Sequence, residues 1–285
     1  MNALRTGLLL SVLTVLLVFI GQLLGGSSGA TTAFVFALVM NLGSYWFSDK
    51  IVLAMYRAKP LSEAEAPQVY RVVREIAQRD QIPMPKLFWL PTATANAFAT
   101  GRNPKHASVA VTSGLLDLMT EEELKGVLAH ELSHVKNRDT LGMSIAAAVA
   151  GAISMIASWA RWGLMSGGRS RNDDRRGGGA LQLVELILVA ILAPLAAMLI
   201  QLAISRTREY GADESGARLT GNPDGLASAL QKLDAAARAH PLPDANPATA
   251  HLFIVNPLSV GTITKLFSTH PPIEERVKRL RSMRS

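Results

Sequence analysis

The chain has 285 residues, 49% of them hydrophobic, with a formal net charge of +7 and no cysteine. That length holds one or two domains, and the composition is more apolar than a soluble chain needs. Without cysteine there is no disulfide framework and no thiolate metal site, which leaves histidine and carboxylate as the strong zinc ligands.

The apolar excess is local. Four nearly charge-free segments, 7–25, 31–48, 141–160 and 181–205, each approach the ~20 residues that a helix needs to cross ~30 Å of hydrocarbon. The first also fits a signal peptide, with Arg5 ahead of the apolar run and Ser28-Gly29-Ala30 as a small-residue cleavage site. Its run is longer than a usual signal core, however, and a second apolar segment follows at once. Residues 1–48 therefore read as an uncleaved transmembrane hairpin. The uncharged link 25–30 is expected outside, and Lys50, Arg57 and Lys59 in the cytoplasm. The positive charge then serves anionic lipid headgroups.

Residues 49–140 read as a cytoplasmic subdomain. The spacing predicts an amphipathic helix over 62–80, a short strand over 83–90 opened by prolines, and strands over 96–100 and 108–112 joined by the turn Gly101-Arg102-Asn103-Pro104. The edge of such a small sheet can hold a peptide as an added strand. The alternative is that these strands only form core.

Thr120-Glu121-Glu122-Glu123 fits the capping box that starts a helix, and its acids suit the positive end of the helix dipole. Leu124, Val127, Leu128, Leu132 and Val135 recur at helical spacing. Along that helix His130-Glu131-Leu132-Ser133-His134 spells H-E-x-x-H. Positions i and i+4 share a face, so both imidazoles can address one Zn²⁺, with Glu131 placed to take a proton from water beside it. The competing reading is a surface helix with two exposed histidines.

Residues 141–205 read as a second membrane hairpin. Its Gly-rich link 161–180 carries Arg161, Arg169, Arg171, Arg175 and Arg176 against Asp173 and Asp174. If both segments span, this basic link lies outside, against the positive-inside rule. Embedding without crossing, or a cytoplasmic helical hairpin, therefore stays open. No aromatic residue falls between Arg169 and Arg176, so nucleic acid is not expected as a partner.

Residues 206–285 read as the carboxy-terminal helical part of the catalytic domain. Glu209 and Asp213 stand at i and i+4. Glu209 can complete a His₂Glu zinc site, and Asp213 can orient one ligand histidine and fix its tautomer. Taken alone, the pair would read as a solvated charge face. Beyond a Pro-rich loop at 240–258, Pro271 and Pro272 open a last helix on which Arg276 reads as an exposed charge, the alternative being a polar contributor to the site.

His130-Glu131-Leu132-Ser133-His134, Arg208-Glu209-Tyr210-Gly211-Ala212-Asp213, Asn96-Ala97-Phe98-Ala99-Thr100-Gly101 and Ser268-Thr269-His270-Pro271-Pro272, in that context, resemble the HtpX family. These are bacterial membrane zinc metalloproteases related to the CAAX prenyl protease. The resemblance implies one Zn²⁺ on His130, His134 and Glu209, with Glu131 as the catalytic glutamate. It further implies that Asn96, Ala97, Phe98, Ala99 and Thr100 bind substrate backbone and that His270 approaches the reacting centre, where it could donate to an oxyanion.

The fold class expected is α+β, mainly α with a small sheet: a zincin-like metalloprotease domain joined to four hydrophobic membrane helices. The function implied is a multi-pass inner-membrane endopeptidase, active site in the cytoplasm. It would act in the stress response on misfolded or damaged membrane proteins, alongside the FtsH protease. Two other readings remain: a processing protease for lipidated carboxy termini, and a non-catalytic membrane scaffold with a structural metal.

Overall fold

A computed structural model describes residues 2–147, 206–239, 252–255 and 271–283. The first helix, α1 (Asn2–Met55), is broken at Gly25 and Gly26, the latter at φ 59. This left-handed conformation suits glycine because no Cβ obstructs it. The two arms then fold back on each other through a two-residue break, where the sequence suggests the six-residue link 25–30. Asn41 Nδ2 on the second arm donates to Thr14 Oγ1 on the first at 2.8 Å. Near the bend, a Cβ on Gly21 would lie 2.4 Å from the Gly29 carbonyl oxygen, so the arms approach closely only because glycine stands there.

The sequence predicts four hydrophobic membrane helices, the last two either spanning or embedded without crossing. Among the described residues one helix is long and apolar enough to cross a membrane, Gly25–Met55, and a shorter apolar helix covers Leu10–Phe19. Of the third segment, residues 141–147 are helical, continuing from 140; the rest of it, the link 161–180 and the fourth segment lie outside the described residues.

The sheet has four strands: β1 (Lys59–Pro60), β2 (Lys86–Leu90), β3 (Ala97–Thr100) and β4 (Ser108–Thr112), in the order β1-β2-β4-β3. β2 and β4 run parallel; β1 and β3 are antiparallel to their neighbours. The two-residue β1 was not foreseen. β2 starts at Lys86, after the prolines at 83 and 85 that lack the N–H a ladder needs. Between β3 and β4 the chain turns at Gly101 (φ 128), where a Cβ would meet the His106 carbonyl oxygen at 2.2 Å.

Alternation along the strands divides the molecule into two cores. Leu87, Ala97, Ala99, Val109 and Val111 face the main core, with α2 (Pro67–Arg79) and α4 (Glu121–Lys136). Leu90, Phe98 and Ala110 face Val52 and Leu53 at the end of α1, Met143, Ala147 and Leu252. The sheet is thus buried on both faces, between α2 and α4 on one side and the root of the apolar hairpin on the other.

The helix expected over 62–80 begins only at Pro67. Ser62 to Glu65 forms a local turn, closed by the Ser62 N–H donating to Glu65 Oε2 at 2.9 Å. Pro67 explains the delay, because the residue before a proline is driven out of the helical region; Ala66 sits at φ −142, ψ 65. A short helix α3 (Ser113–Leu118) leads to α4, whose capping box on Thr120 and Glu123 forms as predicted. Among the described residues, after the helical stretch at 140–147, come α5 (Arg206–Thr220), α6 (Pro223–Ala239) and α7 (Ile273–Ser282). Gly126 on α4 lets α6 lie against it: a Cβ there would stand 2.7 Å from Leu226 N. Gly216 does the same for α5, where a Cβ would be 3.0 Å from His130 N.

Candidate metal centre

The close crossing of α4 and α5 brings together residues far apart in sequence. His130 and His134 project from one face of α4, with Nε2 atoms 3.2 Å apart. Glu209, two turns before Gly216 on α5, faces them. Its Oε1 is 3.4 Å from His134 Nε2 and its Oε2 is 3.8 Å from His130 Nε2. All three are buried, and each offers one ligating atom within 4.8 Å of the others. Zinc bonds of 2.0–2.2 Å in tetrahedral array place donor atoms roughly 3.3 Å apart, so these spacings fit one ion.

Each imidazole is oriented from behind. His130 Nδ1 lies 2.9 Å from Asp213 Oδ1, as the spacing on α5 predicts. His134 Nδ1 lies 3.3 Å from Asp139 Oδ2, a residue the sequence reading passed over. Asp139 reaches back because the chain turns sharply after α4, with Arg138 at φ 58. Carboxylates on both Nδ1 atoms favour the tautomer that carries its hydrogen there, which leaves each Nε2 lone pair for a metal.

Arg276 corrects the expectation of an exposed charge: it is 0% exposed. Its Nε and Nη2 donate to Asp213 at 2.8 and 2.7 Å, and its Nη1 donates to the Ile254 carbonyl at 3.3 Å. The signal was present, since Arg276 is one turn from Leu280 on the face that also buries Val277. Arg208 Nη1 approaches Asp139 Oδ1 at 3.6 Å. Thus four carboxylates, Glu131, Asp139, Glu209 and Asp213, meet two guanidinium groups. A divalent cation has the charge that balances the difference, so donor chemistry and electrostatics agree.

Glu131 is buried beside the ligands, and its Oε2 accepts a hydrogen bond from Ala99 N–H at 2.9 Å. Burial pushes its carboxyl above the ordinary value and Glu209 adds to this, while His130, His134 and the Ala99 N–H oppose it. A raised carboxyl is a stronger proton acceptor. Burial opposes a proton on His134, but Asp139, Glu209 and Glu131 outweigh it and push its pKa up to about 10, a measure of how strongly the site attracts positive charge. Burial would likewise raise Asp213, but Arg276 and His130 hold it below its ordinary value.

β3 is one of the two edge strands, yet all four of its residues are buried. Asn96 and Thr112 pair, through Thr112 N–H to the Asn96 carbonyl at 3.0 Å, so alternation turns the polar groups of Ala97 and Ala99 outward. The Ala99 N–H is the one Glu131 takes. Thr100 Oγ1 meets Ser144 Oγ at 2.6 Å, and Asn96 Oδ1 accepts from Ile254 N–H at 3.1 Å. His270 and all but residues 252–255 of the loop 240–258 lie outside the described residues.

The family described as Peptidase family M48 matches residues 63–284. The chain belongs to that family. It is a zinc metallopeptidase, and the matched region of this M48 peptidase includes every residue of the centre just described. A protease HtpX homolog of Syntrophobacter fumaroxidans is 61% identical over 280 residues, covering 98% of each chain. Another, of Thermococcus sibiricus, is 56% identical over 281 residues, covering 98% of this chain and 95% of that one. The crystal structure of S. mikatae Ste24p matches 94% of this M48 peptidase and 61% of its own chain, with a TM-score of 0.52 and 19% identity. At that identity the likeness is one of fold.

Proposed function

We propose that the chain is an integral-membrane endopeptidase, with one Zn²⁺ on His130, His134 and Glu209, that hydrolyses unfolded or damaged membrane proteins. The observation that carries this reading is Glu131: a buried carboxylate beside the three ligating groups and bonded to an edge strand. A purely structural metal site has no use for such a group.

A bound Zn²⁺ would supply Lewis acidity, lowering the pKa of water and polarising a peptide carbonyl. Glu131 accepts the proton of the attacking water on its carboxylate and returns it to the leaving amine. Asp213 and Asp139 keep the two imidazoles in the ligating tautomer. Asn96 to Thr100 offers its outward edge to the substrate main chain, which binds with little sequence preference. To do so it exchanges the Ala99–Glu131 contact for a contact with the substrate, freeing Glu131 for the water.

The apolar surface of α1 supports membrane residence. Phe34, Phe36, Val39, Leu42, Trp46 and Phe47 are exposed on one arm, which suits lipid. Lys50, Arg57 and Lys59 follow it, which supports a cytoplasmic side of the inner membrane for this end and the metal centre. A role in the stress response beside FtsH completes the reading.

The test is cleavage of an unfolded membrane protein by the detergent-purified chain, with and without zinc, beside Glu131→Gln. Zinc-dependent cleavage absent from the variant is expected. A zinc-loaded, folded wild type that cuts no polypeptide would overturn the reading.

A further inference from the structure

We infer that a cavity on the hairpin side of the sheet is a substrate subsite that takes one bulky apolar side chain of the polypeptide being cut. This deepens, and rests on, the endopeptidase reading. The cavity holds about 260 Å³ between Tyr56 at the end of α1, Leu90 at the end of β2, Thr94, Phe98 of β3 and Phe253. That is roughly nine water volumes, room for one aromatic or branched side chain.

Its position ties it to the reacting centre. Phe98 and Asn96, both in its wall, belong to the strand whose Ala99 N–H meets Glu131. A strand advances about 3.3 Å per residue. A peptide laid along β3 with its scissile bond at Glu131 therefore passes the cavity within two or three residues.

Its chemistry selects an apolar occupant. Leu90 and Phe98 are buried beneath it, and the Tyr56 ring lies 5.5 Å from that of Phe98 and 6.1 Å from that of Phe253. The polar atoms at the back are already paired. Asn96 N–H donates to Thr112 Oγ1 at 2.9 Å, Thr112 Oγ1 donates to the Asn96 carbonyl at 3.0 Å, and the Asn96 side chain holds Ile254 N–H. Arg57, which is exposed, also lines the cavity, so the selection of an apolar occupant rests on the rings and Leu90 and not on a lack of polar groups.

The wall is also fastened to the metal centre. Ile254, next to Phe253, is gripped at its N–H by Asn96 and at its carbonyl by Arg276. Arg276 in turn holds Asp213, which stands behind His130. The bonds that orient a metal ligand thus also fix the cavity wall. Bulky apolar residues are mostly buried in folded proteins and exposed in unfolded ones. A subsite that demands one accessible beside the scissile bond discriminates by folding state.

The test uses the purified full chain with zinc and peptide pairs that differ only by Phe or Ala at one position, scanned across the cleavage site. The wild type is expected to prefer Phe at one fixed position by about ten-fold or more in kcat/KM. Thr94→Trp, which fills the cavity, should bring that ratio near one. Phe253→Ala, which enlarges it, should shift the preference towards Trp. Zinc content and circular dichroism establish that both variants are folded. An unchanged Phe/Ala ratio in both variants, with zinc-dependent cleavage intact, overturns the subsite and leaves the endopeptidase reading standing. If the variants alter only the dependence of activity on vesicle composition, the occupant is a lipid and the inference is wrong. A wild type that cuts no peptide overturns both.

Discussion

Arg276 forks onto Asp213 through two nitrogens, at 2.7 and 2.8 Å, and the same carboxylate stands 2.9 Å behind His130. A fully buried guanidinium is stable only because this partner, and Asp213's own contact with the ligand histidine, compensate its lost hydration. Stability and metal affinity therefore meet in one pair. Arg276→Met should destabilise the fold by roughly 3–5 kcal/mol, and Arg276→Lys should not restore it, because a point ammonium cannot fork. Denaturant unfolding of the three proteins checks this; a lysine variant as stable as wild type would count against the pairing.

The two carboxylates behind the imidazoles should be separable from the ligands themselves. Asp139→Asn and Asp213→Asn should each weaken zinc binding about 10- to 100-fold while leaving one ion per chain at saturation. His134→Ala and Glu209→Ala should lose stoichiometric zinc. Chelator competition distinguishes these outcomes, and unaltered affinity in Asp139→Asn would remove that residue from the site.

Glu131→Gln keeps the shape of the side chain and removes its basicity. Zinc content should be retained and turnover should fall by about 10²–10⁴-fold. Elemental analysis beside a cleavage assay reads both.

Acid should weaken the protein through Glu123. Burial would raise this carboxyl, but Lys232, Ser228 and the Thr120 N–H lower it from the ordinary 4.5 to about 2. A folded pKa below the unfolded one stabilises above pH 4.5, and the contribution is lost as pH falls towards 2. The full shift corresponds to about 3 kcal/mol at most, since Lys232 is partly exposed. Glu123→Gln should therefore be less stable than wild type at pH 7, with the gap closing between about pH 4.5 and 2. Denaturation midpoints across that range test it; a gap independent of pH would assign the loss to packing.

Gly126→Ala places a methyl 2.7 Å from the backbone of Leu226, which cannot move aside like a side chain. The variant should lose about 1–3 kcal/mol, despite the better helix propensity of alanine. A thermal melt decides the sign.

The ligand set was legible because helical periodicity is local: i and i+4 put His130 with His134, and Glu209 with Asp213, on single faces. The capping box likewise placed the start of α4. Asp139 escaped because its approach to His134 depends on a left-handed turn at Arg138, which no pattern of residue types announces. β1 escaped because two residues carry no alternation to read. The amphipathic spacing runs back to 62, but Pro67 keeps Ala66 out of the helical region and so delays the start of α2. The strand β3 was legible, but its burial is a product of packing: Ala97 and Ala99 are enclosed because α4 lies against them, and nothing in the pentapeptide states that.

The third ligating carboxylate arrives on α5, after all of the segment 141–205 has been made. A nascent chain that has reached only His130, Glu131 and His134 holds the proton acceptor and two ligands but not the set that fixes the ion. Joining the two halves of the set therefore waits on Glu209 and on the packing of α5 against α4.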